Sequence, residues 1–122
     1  MSVNLRGLHP EVRQAAEVAL AWANYYGIPI TITSTYRSWE EQKKLRDKYE
    51  RCLERGTFPT KGVCPYPANR PGDSAHNFGL AFDSWTPYRM QDWATIRRWC
   101  GFNVPEHDVI HAEVPGWRRF VT

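Results

Sequence analysis

An imidazole and a carboxylate, His76 and Asp83, stand seven residues apart in the run Pro71-Gly72-Asp73-Ser74-Ala75-His76-Asn77-Phe78-Gly79-Leu80-Ala81-Phe82-Asp83, and that spacing restricts the backbone more than any other feature of the chain. Side chains alternate along a strand, so an odd separation puts the two groups on opposite faces of a straight one. They can serve one site only if the backbone bends between them. Gly79 supplies the means, because glycine adopts backbone angles closed to other residues and lets a second backbone approach closely. Taken singly, each residue has an ordinary reading. A histidine after a Pro-Gly turn is more often an exposed loop residue, and Asp83 at a strand end would cap the turn at Ser84.

Around this run the hydrophobic periods lay out the rest. After His9 and Pro10, apolar residues at Val12, Ala15, Ala16, Ala19, Leu20 and Ala23 predict a helix packed on one face and ending near Gly27. Ile28 to Thr33 alternates branched apolar and hydroxyl residues and predicts a half-buried strand with Pro29 near its start. Ser38 with Glu41 three residues on is a capping box, opening a helix through Leu45, Tyr49 and Leu53 to Gly56. Thr57 to Gly72, with four prolines and two glycines, is an irregular loop of the length that tends to be functional. A third helix is expected from Tyr88 to Cys100 with Trp93, Ile96 and Trp99 inward, stopped by Gly101. A last strand is expected over His107 to Val114, before Pro115-Gly116. His9 and Trp22 read as structural. Trp85 and Trp117 flank the candidate site in sequence and fit either a groove or the core.

At 122 residues, with 42% apolar and 24% charged residues, the chain has the makeup of one folded domain, residues 1–122, with no repeat or linker. A net charge of +3, spread over 16 basic and 13 acidic residues, does not indicate nucleic-acid binding. The longest mainly apolar stretch, Ala15 to Ala23, is broken by Glu17, so no membrane insertion is expected, and Met1 to Gly7 lacks an apolar run of signal-peptide length. Cys52, Cys64 and Cys100 form no CxxC pair and leave at least one thiol unpaired, which suits a reducing compartment and argues against a zinc role for them.

A catalytic zinc takes three protein ligands from imidazole and carboxylate and keeps a further position open. Of the four histidines in the chain, two sit where a metal reading would want them: His76, seven residues before Asp83, and His111, on a later strand near the C-terminus. His107 and His111 at a spacing of four would share a helix face, a rival zinc arrangement. Pro105, Val109 and Ile110 favour extended chain instead, where positions four apart lie about 13 Å from one another, too far for one ion.

Ser74-Ala75-His76-Asn77-Phe78-Gly79-Leu80-Ala81-Phe82-Asp83 resembles the S-x-H-x-x-G-x-A-x-D signature of the D-alanyl-D-alanine carboxypeptidases and phage L-alanyl-D-glutamate endopeptidases, a group with the hedgehog/DD-peptidase fold. Asp108-Val109-Ile110-His111 is similar to the second signature, an acid three residues before the last histidine. Ile28 through Ser38, followed by Glu41-Gln42, is similar to the group's strand, Tyr-Arg pair and helix start. The resemblance implies His76, Asp83 and His111 as zinc ligands. It implies Asp108 as the general base that takes a proton from the attacking water and passes it to the leaving amine. Arg37 falls on the arginine that faces the reacting carbonyl or the substrate carboxylate, and would stabilise an oxyanion. Ser74 would bind substrate or orient His76, and Gln42 matches more loosely. Glu113, two residues from His111 on one strand face, would hydrogen-bond a ligand or line the pocket, and is the substitute base should Asp108 be misplaced.

The expectation is therefore an α+β domain of hedgehog/DD-peptidase type, with helices packed on one side of a small, mainly antiparallel sheet. Its expected work is zinc-dependent hydrolysis of the peptidoglycan stem peptide by a monomer. An L-alanyl-D-glutamate endopeptidase of phage endolysin type is the leading form, held in the host cytoplasm until lysis. The alternatives are a D-alanyl-D-alanine carboxypeptidase and a non-catalytic, zinc-stabilised cell-wall binding module.

Overall fold

The computed structural model describes residues 4–55 and 69–121. The first helix, α1, spans Pro10–Tyr25. His9 caps it, its ring accepting from the Glu11 N–H, and Pro10 sits in the first turn, where a missing N–H is no loss. Its buried stripe is Val12, Ala16, Ala19 and Ala23, with Ala15 and Leu20 half-buried at the edge. The strand expected from Ile28 begins later, as β1 over Thr31–Ser34. The Ile28 N–H is engaged by the Ala23 carbonyl at 2.9 Å, closing α1, and Pro29 has no N–H to offer a ladder.

Helix α2, Trp39–Arg55, opens on the reciprocal cap that its sequence predicts. The Glu41 N–H donates to Ser38 Oγ at 3.0 Å, and the Ser38 N–H donates to Glu41 Oε1 at 3.1 Å. The expected stop at Gly56, residues 57–68 of the irregular loop, and Cys64 lie outside the described residues. Among the other cysteines, Cys100 is a free thiol, while Cys52 is disulfide-bonded, so the lean toward a reduced set does not hold there.

Strands β2, Ala81–Trp85, and β3, His111–Glu113, complete an antiparallel sheet in the order β1-β2-β3. A bulge between Ile32 and Ser34 shifts the register of β1 on β2, and β2 pairs Ala81 with Glu113, Phe82 with Ala112 and Asp83 with His111. Alternation does the rest. Phe82 and Ala112 turn to one face, fully buried in the core with the α1 stripe and with Trp93 and Ile96 of α3, Met90–Trp99. Asp83, His111 and Glu113 are left together on the other face. No α2 residue joins that core among the described residues.

Three expectations fail. Trp99 is 70% exposed, because six residues beyond Trp93 is about 240° round the helix, opposite the buried stripe. Trp22 is also about half exposed, stacked on Tyr26 rather than turned inward. The strand expected from His107 is likewise shorter. Residues 105–110 form successive turns, with the Asp108 N–H on the Pro105 carbonyl at 3.1 Å and the His111 N–H on the Asp108 carbonyl at 3.0 Å. Pro105 presets its own backbone angle for such a turn, and β3 begins only at His111.

His76 lies on a short 3-10 turn, Ala75–Phe78, that ends at Gly79 with φ of +70°. A β-carbon there would stand 2.9 Å from the Gly7 carbonyl oxygen and 3.0 Å from the His9 nitrogen, and the Gly79 carbonyl accepts from that His9 N–H. Replacing Gly79 with Ala is expected to lower unfolding free energy by about 1–3 kcal/mol, from backbone strain alone, with the close approach adding to it. Urea denaturation would show this, and an unchanged midpoint would mean that the turn adjusts freely.

Candidate functional site

The bend at Gly79 brings His76 onto Asp83. His76 Nε2 lies 3.2 Å from Asp83 Oδ1, and His111 Nδ1, delivered by the direct β2–β3 pairing, lies 3.2 Å from the same oxygen. The three residues offer ligand atoms that all lie within 4.8 Å of one another. The far nitrogen of each ring is occupied. His76 Nδ1 is 2.7 Å from the Thr35 carbonyl, which can only accept, so that nitrogen carries the hydrogen. His111 Nε2 is 2.7 Å from Glu113 Oε1 in the same sense.

With those hydrogens placed, the two neutral rings would aim lone pairs at a carboxylate oxygen. That arrangement asks for positive charge in the middle, either a proton on a ring or a metal ion. Burial opposes a charge on His111, but hydrogen bonds to Asp83 and Glu113 outweigh it and push the imidazole up to about 9. Burial likewise opposes ionisation of Asp83, and the hydrogen bonds from His111 and His76 override it, holding the carboxyl well below the usual range. Two imidazoles and a carboxylate, with the imidazoles held by a carbonyl and a carboxylate behind them, are the donor set and support of a hydrolytic zinc site. The residues fit the ion. An ion entering must displace the His111 proton.

Arg37 reaches the same place from the end of β1. Its Nη1 donates to Gln42 Oε1 at 3.0 Å, and its Nη2 lies 3.9 Å from Asp83 Oδ2. Gln42 is buried and donates in turn to the Asn69 carbonyl at 2.7 Å. Ser74 caps the His76 turn, its Oγ accepting from the His76 N–H at 3.3 Å. Glu113 is the acceptor behind His111. Asp108 is exposed, at the head of the turn that closes on the His111 N–H. Trp117 is buried against Phe78, whereas Trp85 is half exposed. His107 is exposed on the turn and no helix joins it to His111.

Two contributors escaped the sequence reading. One is the backbone of residues 35–37: besides the Thr35 carbonyl on His76, the Arg37 N–H donates to the His76 carbonyl at 2.9 Å. The other is Asn77, whose buried amide donates to the Arg37 carbonyl and accepts from the Gly72 N–H. A polar residue between the histidine and the glycine was the one available signal.

The model of the VanY D-alanyl-D-alanine carboxypeptidase family matches residues 5–99. The chain belongs to that family. The matched span holds Arg37, Ser74, His76 and Asp83 and stops short of Asp108, His111 and Glu113. The chain is 37% identical over 76 residues to the peptidoglycan L-alanyl-D-glutamate endopeptidase CwlK of Bacillus subtilis strain 168, an alignment that covers 62% of this chain and 40% of that one. The chain thus spans about two fifths of that relative. Among solved structures, its VanY-type fold resembles a vancomycin-resistance D,D-pentapeptidase VanY in complex with Zn(II), with a TM-score of 0.70 and 17% identity over 91% of this chain and 74% of that one. It also resembles the L-Ala D-Glu endopeptidase ChiX of Serratia marcescens, with a TM-score of 0.59 and 19% identity over 98% of this chain and 88% of that one.

Because Glu113 holds the far nitrogen of His111, Glu113→Ala is expected to weaken zinc binding by roughly 10–100-fold while leaving the fold intact. Competition against a chromogenic chelator measures this directly. An unchanged affinity would show that the Glu113 contact does nothing for the ligand.

Proposed function

We propose that the protein is a zinc-dependent peptidase that cuts the stem peptide of peptidoglycan, between L-alanine and D-glutamate. The observation that carries this reading is the convergence of two imidazoles on one Asp83 oxygen with both outer nitrogens already engaged. Membership of a peptidoglycan peptidase family supports it, and the endopeptidase named for the Bacillus subtilis relative favours the bond. A second reading, carboxypeptidase action on D-alanyl-D-alanine, draws on the family's own description and on a fold relative, VanYB, described in complex with D-alanine-D-alanine.

In this reading His76, Asp83 and His111 hold the zinc. A zinc ion there would polarise the scissile carbonyl and make a water acidic enough to lose a proton near neutral pH. Asp108 accepts that proton as the water oxygen bonds to the carbonyl carbon, then delivers it to the amine nitrogen as the C–N bond breaks, leaving a carboxylate and an amine. Arg37, its guanidinium fixed by Gln42 beside Asp83, stabilises the oxyanion or grips a substrate carboxylate. The Ser74 hydroxyl, buried and accepting from the His76 N–H, orients that ligand or binds substrate.

Replacing Asp108 with Ala should lower hydrolysis by roughly 10²–10⁴-fold while one zinc per chain is retained. Muropeptide digests followed by mass spectrometry test both this and the bond, since a free N-terminal D-glutamyl fragment and a released D-alanine are distinct products. Full activity in Asp108→Ala would remove Asp108 from the mechanism. Removal of zinc by a chelator should stop hydrolysis, and zinc added back should restore it. Hydrolysis that persists in verified zinc-free protein would sink the metallopeptidase reading.

A further inference from the structure

Arg97 is a charged side chain in the middle of α3, wholly buried, and no role in the reaction has yet been given to it. Taking a guanidinium out of water is expensive unless its donors are satisfied. Among the described residues no carboxylate forms a salt bridge with it. Instead it binds backbone carbonyls: Nη2 donates to Val109 O, Nη1 to Ile110 O at 3.3 Å, and Nε to Trp93 O at 3.4 Å. Its plane lies over the Trp93 ring, 5.0 Å from the centroid.

The two carbonyls from outside the helix belong to the turn between Asp108 and His111. The same cluster closes on the sheet. Trp93 Nε1 donates to Ser84 Oγ at 2.8 Å, and the Ser84 N–H donates to that same Ile110 carbonyl at 3.0 Å. Trp93, Ser84 and Arg97 are all fully buried. The ring Arg97–Ile110–Ser84–Trp93 therefore ties α3 to β2 just beside Asp83 and to the turn just before His111. Burial draws the guanidinium down to about 10, which still leaves it charged at neutral pH.

We propose that Arg97 is a positioning residue for the peptidase reaction, clamping the Val109 and Ile110 carbonyls so that the turn presents Asp108 toward the metal site. This inference rests on Asp108 acting as the base. The geometry supports a role aimed at the turn rather than at general stability. Ile110 O keeps its Ser84 partner without Arg97, and the ladder pairing of His111 with Asp83 does not involve the guanidinium. Among the described residues, what Arg97 alone holds is the Val109 carbonyl, one residue from Asp108. A planar, multi-donor group can bridge two adjacent carbonyls where an ammonium presents a point charge.

The test uses the zinc-loaded 122-residue chain and soluble muropeptides, with product followed by mass spectrometry. Arg97→Met is expected to lower kcat about 100-fold, the loss that follows from misplacing a catalytic group by about 1 Å, with KM changed less than about twofold and one zinc per chain retained. Arg97→Lys, which keeps the charge, should give a kcat between the two. Unchanged kcat in Arg97→Met overturns the proposal, and so does a fall in kcat that tracks loss of zinc or of thermal stability. Should Arg97→Met not fold, Arg97→Lys decides alone: a folded, zinc-loaded protein with reduced kcat supports the clamp, and one with full kcat overturns it. Failure of the Asp108 reading is seen separately, as retained hydrolysis in Asp108→Ala with Arg97 intact.

Discussion

One oxygen atom organises the site. Asp83 Oδ1 takes His76 on one side and His111 on the other, each at 3.2 Å, and every element around it serves to hold three donors at that crossing. With both rings neutral the crossing is unfavourable, since two ring lone pairs and a carboxylate share a half-buried space, and a proton on His111 or a metal ion relieves it. It is held by what lies behind each ring, the Thr35 carbonyl and the Glu113 carboxylate. These acceptors choose the tautomers, so the selectivity of the site for positive charge is built one bond away from the donors themselves.

The elements divide that labour in a way the sheet makes intelligible. β2 and β3 place Asp83 opposite His111 by register alone, with Phe82 and Ala112 anchoring the same two positions to the core from behind. His76 comes from outside the sheet and needs more support: a Ser74 cap, Asn77 on the Arg37 carbonyl, and backbone bonding to residues 35–37. The irregularity in β1 between Ile32 and Ser34 lies where the chain leaves the ladder to provide those bonds.

Much of this could be read from residue order, and what could not has identifiable causes. The helix periods, the Ser38–Glu41 box and the need for a bend at Gly79 depend on local chemistry, and each appears in the structure. Trp99 has the apolar character of an inward residue, but position six from Trp93 points away from the buried stripe. The residues before His111 look extended by propensity, but Pro105 and the carbonyl-binding Arg97 turn them. Thr35 contributes a backbone oxygen, which no residue type advertises. Arg97 on sequence alone resembles its exposed neighbour Arg98, and only the packing distinguishes them.

The seat of Gly79 against residues 7–9 has a consequence for how the molecule comes into being. The turn bearing His76 rests on backbone from near the start of the chain, while its partner His111 arrives near the end. Such contacts have large sequence separation, and loop closure must precede any reward from them. No stretch of nascent chain that stops short of β3 brings His76, Asp83 and His111 together, so the proposed ion site can be complete only once that strand has paired.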